Sequence, residues 1–178
     1  WVGIKHTDIY GQILSMAATW SVKFLVVDAT GVGAGLTAFL SRSLGSKVIS
    51  FTFNSRTKSD LGWSFLSLID TGRLKDYSLE RPQVAPGVRQ LNDKLAQQQA
   101  TFFTQLQHCQ YEILPGPDKK IKWSVPDGTR DHVSGDLIHD DLIISAALLS
   151  ILDQQSWSIT GPAALVTAPD PLDDMKGF

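Results

Sequence analysis

Asp28 ends the apolar run Phe24-Leu25-Val26-Val27 and is followed by glycines at 31, 33 and 35. Asp140 and Asp141 stand side by side just ahead of the apolar positions Leu142, Ile143, Ala146, Ala147 and Leu149. A short apolar run bounded by a turn reads as a buried strand. In sheets layered with helices, ligands collect beyond the carboxyl ends of the strands, where Asp28 is expected to sit. An acid opening a helix beside that strand reaches the same place. Carboxylates that converge repel one another unless a cation lies between them, and Mg²⁺ or Mn²⁺ suits such hard oxygen donors. Two such ions roughly 4 Å apart are a common device of phosphodiester cleavage. Asp28, Asp141 and Asp140 are therefore the candidate catalytic and metal-ligating residues.

Each of these features has a plainer reading when taken alone. An aspartate before glycines also makes a turn in which the carboxylate caps its own backbone. Acids at a helix start satisfy first-turn amides and the helix dipole. Arg56 and Lys58 follow a strand, and Lys119, Lys120 and Lys122 mark a hairpin tip. Arg56, Lys58, Lys120 and Lys122 are the candidate nucleic-acid contacts, with solvated surface charge as the alternative. His139, beside the acids, either orients a ligand or is a loop histidine without a role, and His6, His108 and His132 lack metal-ligand spacing. The glycines read Gly31-x-Gly33-x-Gly35, without dinucleotide-binding spacing and without an acid at Phe51 to Ser55 to hold a ribose. They are expected to permit a tight strand-to-helix turn and close backbone approach. No phosphate-loop motif and no G-x-S-x-G elbow occurs. A phosphate- or nucleotide-binding domain stays open as a further reading of Gly31 to Gly35.

The elements that must position these residues follow from periodicity. Thr7 to Trp20 reads as a helix capped by Thr7, with Ile9, Ile13, Met16, Ala17 and Trp20 on one face. After the strand at Phe24 to Asp28, Leu36, Phe39, Leu40 and Leu44 mark a helix closed by Gly45. Lys47 to Phe53 alternates like a strand, and Leu61 to Ile69 is helical with Gly72 as its stop. Pro86 opens a long helix through Val88, Leu91, Leu95, Phe102 and Leu106. Tyr111 to Leu114 and Ile121 to Val125 form a hairpin around Pro115-Gly116-Pro117-Asp118. The alternation predicts an α/β sheet layered by helices, which the hairpin makes mixed.

The chain's 178 residues suit one domain with a sizeable core, read as residues 1–153, with an extended Gly-, Pro-, Ala- and Asp-rich tail over 154–178. Hydrophobic residues make up 43% and charged residues 19%, which excludes a disordered chain. A net charge of −2 lacks a whole-domain basic footprint, so any DNA contact must come from a local patch or from metal. Cys109 is the only cysteine, which excludes an internal disulfide and fits a reducing compartment. No apolar run reaches membrane-span length, so no membrane is expected as a partner, and no signal peptide is visible. The chain opens on Trp1 and is expected to be part of a longer protein.

The string Val26-Val27-Asp28-Ala29-Thr30-Gly31-Val32-Gly33 resembles the second acidic motif of the nuclease domain of viral DNA-packaging terminase large subunits. His139-Asp140-Asp141-Leu142, running into Ala146-Ala147, resembles that family's last acidic motif. Many members carry glycine where Asp140 stands, so Asp141 is the better match to the metal ligand. Lys58-Ser59-Asp60-Leu61, Thr71-Gly72-Arg73-Leu74 and the hairpin before the last acids also fit, and the likeness runs from about Thr7 to Leu152. It implies an RNase H-like mixed sheet flanked by helices, with an added β-hairpin. It also implies two Mg²⁺ or Mn²⁺ ions and endonucleolytic cutting of concatemeric double-stranded viral DNA during packaging. An upstream ATPase domain, a portal protein and a small terminase subunit would be partners, in the cytoplasm of a bacterial host, at the procapsid. The family's first catalytic aspartate lies on a strand preceding the first helix, and nothing before Thr7 here supplies it. Asp8 falls in that helix's first turn, where capping explains it. The domain therefore reads as lacking its first strand or strands. The alternative is a catalytically defective remnant acting as a DNA-binding or docking module.

Overall fold

The computed structural model describes residues 4–76 and 86–157, and the side chains of the long fourth helix from Leu95 onward. The expected tail thus lies outside the described residues from 158 on. The order is α1 (His6–Thr19), β1 (Leu25–Asp28), α2 (Gly33–Leu44), β2 (Val48–Phe51), α3 (Ser55–Asp70), α4 (Pro86–His108), β3 (Gln110–Ile113), β4 (Ile121–Ser124) and α5 (Asp141–Ala147), which runs on as a 3₁₀ helix over Leu148–Gln154. No described helix is long and apolar enough to cross a membrane.

The general α/β class holds, but the described strands do not form a single mixed sheet. The described strands form two separate pairs: β1 with β2 in parallel, Leu25 opposite Val48 through Asp28 opposite Phe51, and β3 with β4 antiparallel. The hairpin lays β4 on α3 instead of joining β1 and β2. Sequence alternation fixes which hairpin residues face inward: Ile121, Trp123 and Val125 are buried, with Lys122 exposed between them. Gly62 sets how close the two elements come, since a Cβ there would run into the indole of Trp123. The Trp123 indole N–H donates to the Lys58 carbonyl at 2.8 Å, and the Ile121 amide to the Ser59 hydroxyl at 3.0 Å. One core joins Leu61 and Phe65 of α3, Ile121, Trp123 and Val125 of the hairpin, and Ile143 and Ala147 of α5. This apolar face ties α5 to the hairpin.

The caps depart from expectation in informative ways. α1 begins at His6 after Lys5, which makes no side-chain cap, so Thr7 lies inside the helix and is not its cap. α3 begins at Ser55, earlier than its apolar periodicity suggests. Asn54 accepts from the Arg56 and Thr57 amides and Thr57 answers with its hydroxyl, a reciprocal cap. Gly45 and Gly72 close α2 and α3 at positive φ, as expected.

Candidate metal centre and nucleic-acid interface

Asp28 ends β1 and its carboxylate accepts from the Thr30 amide at 2.7 Å, which is the turn-capping contact that its sequence allows. Thr30 in turn accepts from the Phe53 amide at 2.8 Å, tying this loop to the end of β2. The glycines divide their labour. Gly31 adopts φ +55, and a Cβ on Gly33 would run into the Asp28 carbonyl oxygen, so α2 starts in direct contact with the strand end. Gly35 has open space around it. The Gly33 and Ala34 amides donate to the Thr30 and Gly31 carbonyls, so these two donors of the turn are already engaged.

Asp28 and Asp141 line one cleft of about 520 Å³, together with Leu25, Val26 and Val27 of β1, Ile13, Met16 and Ala17 of α1, and Ile144 and Leu148 beyond Asp141. All four residues of β1 line the cleft, and β1 pairs with β2 alone among the described residues. Both acids are exposed. Asp140 is turned elsewhere: its carboxylate lies 3.7 Å from the Lys58 ammonium, which also sits 5.4 Å from the centre of the Trp123 ring. The three candidate acids therefore divide into a pair facing the cleft and one paired with a lysine. Among the described residues no three histidine, cysteine, aspartate or glutamate side chains form a metal-ligating group. As a donor set, Asp28 and Asp141 offer hard oxygens that fit Mg²⁺ or Mn²⁺, but too few to hold two ions alone.

The candidate phosphate contacts spread along α3 and the hairpin that lies on it. Arg56 pairs with Asp60 at 3.9 Å, and Lys120 with Asp118 at 3.8 Å. Such exposed pairs contribute about 0–1 kcal/mol and yield readily to a phosphate. Lys122 points outward from β4, opposite Glu112. The hairpin tip is anchored by Trp63, whose indole N–H donates to the Lys119 carbonyl at 3.1 Å. Of the four cations, Lys58 alone is drawn to a candidate acid. His139 lines a separate hollow with Asp131, Asp136 and Asp141. In that loop the Asp131 carboxyl is held below its ordinary range by the Ser134 and Val133 amides.

Sequence reasoning did not single out Gln105, and read Cys109 only as the lone cysteine. Gln105 is a buried polar residue of α4 whose carboxamide oxygen accepts from the Leu142 amide at 2.9 Å and the Ile143 amide at 3.4 Å. Its position between Phe102 and Leu106 on the apolar face was the available signal. Cys109 is half-buried, and its thiol is pushed up by that burial and by the Asp140 carboxylate, with Lys58 drawing it down. Comparison with known proteins finds no matching family model, no similar curated protein and no similar solved structure.

Proposed function

We propose that the chain is the nuclease domain of a viral DNA-packaging terminase large subunit, an RNase H-like, metal-dependent endonuclease acting on concatemeric double-stranded DNA. The observation that carries this reading is the shared cleft. Asp28 at the end of β1 and Asp141 at the start of α5, far apart in sequence, line it together. These are the acids that the two motif likenesses single out. The upstream ATPase domain, the portal protein, the small terminase subunit and a setting at the procapsid in the bacterial cytoplasm belong to the same proposal.

When bound, Mg²⁺ or Mn²⁺ supplies the Lewis acidity and charge neutralisation that phosphodiester cleavage needs. Asp28 and Asp141 provide oxygen donors for it. A third carboxylate is required to hold two ions, and β1, which pairs with β2 alone among the described residues, has an edge open to a further strand that would bear it. Lys58, beside Asp140, would meet a phosphate, and Arg56, Lys120 and Lys122 would hold the flanking backbone. The absence of a third ligand among the described residues favours one other reading, a non-catalytic DNA-binding or docking module.

Supercoiled-plasmid nicking with Mn²⁺, Mg²⁺ or EDTA separates the two. The chain is compared with a version extended upstream by one strand region and with the extended Asp141→Ala variant. Metal-dependent nicking by the extended protein, reduced at least a hundredfold by Asp141→Ala, is the expected result. A folded extended protein that nicks with neither metal leaves the docking module as the function.

A further inference from the structure

Asp140 occupies the residue before α5, the place from which an aspartate side chain ordinarily accepts the first free amides of a helix. It makes no such bond here. The amides that it would accept, those of Leu142 and Ile143, donate to Gln105 of α4 instead. Gln105 is 5% exposed, so the bond is sheltered from water, and losing an acceptor there leaves two donors unsatisfied. The Asp140 carboxylate, relieved of capping, reaches the Lys58 ammonium, and Asp141 is left facing the cleft with Asp28.

We propose that Gln105 is the positioning residue of the carboxylate site: by capping α5 in place of Asp140, it keeps Asp140 on Lys58 and Asp141 on the cleft. The part that concerns metal rests on the nuclease reading. The capping exchange does not, because it follows from the hydrogen bonds alone. A shortened or apolar side chain at 105 frees the two amides, and Asp140, the residue at the N-cap position from which a side chain reaches them, turns inward to accept them. That movement breaks the Lys58 pair and rotates the first turn of α5, which carries Asp141.

The test uses the full chain with Gln105→Leu, which removes the acceptor, and Gln105→Glu, which retains it. In EDTA, urea unfolding is measured for Asp140→Ala in the wild-type and Gln105→Leu backgrounds. Asp140→Ala is expected to lower the midpoint distinctly more in the Gln105→Leu background, where Asp140 has become the cap, than in the wild type. A purely structural Gln105 gives equal decrements in the two backgrounds, and that result overturns the proposal. In parallel, Mn²⁺ binding is read from the electron paramagnetic resonance of the free ion. An affinity at least tenfold weaker in Gln105→Leu, restored in Gln105→Glu, is expected. Equal affinity in wild type and Gln105→Leu removes the positioning role while leaving the nuclease reading intact. No Mn²⁺ binding by the wild type, with unequal decrements in urea, retains Gln105 as the keeper of Asp140 and counts against the metal reading alone.

Discussion

The thiol of Cys109 registers the charge balance at the Lys58–Asp140 pair, since partial burial and the Asp140 carboxylate push it up and the Lys58 ammonium draws it down. A raised thiol holds less thiolate at a given pH and reacts more slowly. Alkylation by iodoacetamide at pH 8, followed by mass spectrometry, is therefore expected to run slower than for free cysteine. Asp140→Asn should quicken it about two- to fivefold and Lys58→Met should slow it by a similar factor. Identical rates in all three proteins would mean that neither charge reaches the sulfur. At this scale the sequence was partly legible. The types and order of Asp28, Asp140 and Asp141 marked three candidate acids, two of which line one cleft. That Asp140 turns from the cleft to Lys58 was not legible, because the choice depends on Gln105, one of several glutamines along α4 with the same local signal.

Among the elements, α3 and the hairpin decide where Lys58 stands. Gly62 lets the Trp123 indole lie against α3, and the indole N–H holds the Lys58 carbonyl. Gly62→Ala forces that contact apart and is expected to cost about 1–3 kcal/mol in urea unfolding, with the Lys58–Asp140 pair loosened. A loss under a few tenths of a kcal/mol would show that α3 and β4 separate without strain. Most elements were legible from periodicity, including α2 closed by Gly45, the long α4 from Pro86 and the alternation of β4. Two features were not. The start of α3 is set by the reciprocal Asn54–Thr57 cap in a polar stretch without apolar rhythm. The division of strands into two pairs is set by β4 packing on α3, a long-range contact that local pattern does not encode.

For the whole molecule, at a net charge of −2, the proposed DNA interface rests on four named cations besides any metal: Arg56, Lys58, Lys120 and Lys122. If each neutralises one phosphate, log K against log salt has a slope of about −3.6, and affinity falls about a hundredfold between 50 and 200 mM salt. Fluorescence anisotropy with a labelled duplex measures it, and removing Lys120 should shrink the slope by about one unit. A slope near zero would remove all four from the interface. The same dependence belongs to a nuclease and to a docking module, so it tests the surface independently of catalysis.

The lysine poised over Trp123 also gives the molecule an optical signature. Among the described tryptophans Trp123 is 5% exposed, whereas Trp20, Trp63 and Trp157 are 78%, 39% and 54% exposed, so of these four iodide quenches the last three first and Trp123 least. Its ring lies 5.4 Å from the Lys58 ammonium. A phosphate that draws that charge away alters the field across the indole and shifts the colour of the protected emission. A phosphate at the Lys58–Asp140 pair, if the proposed interface holds, would thus be read by light from a native side chain, with no label attached.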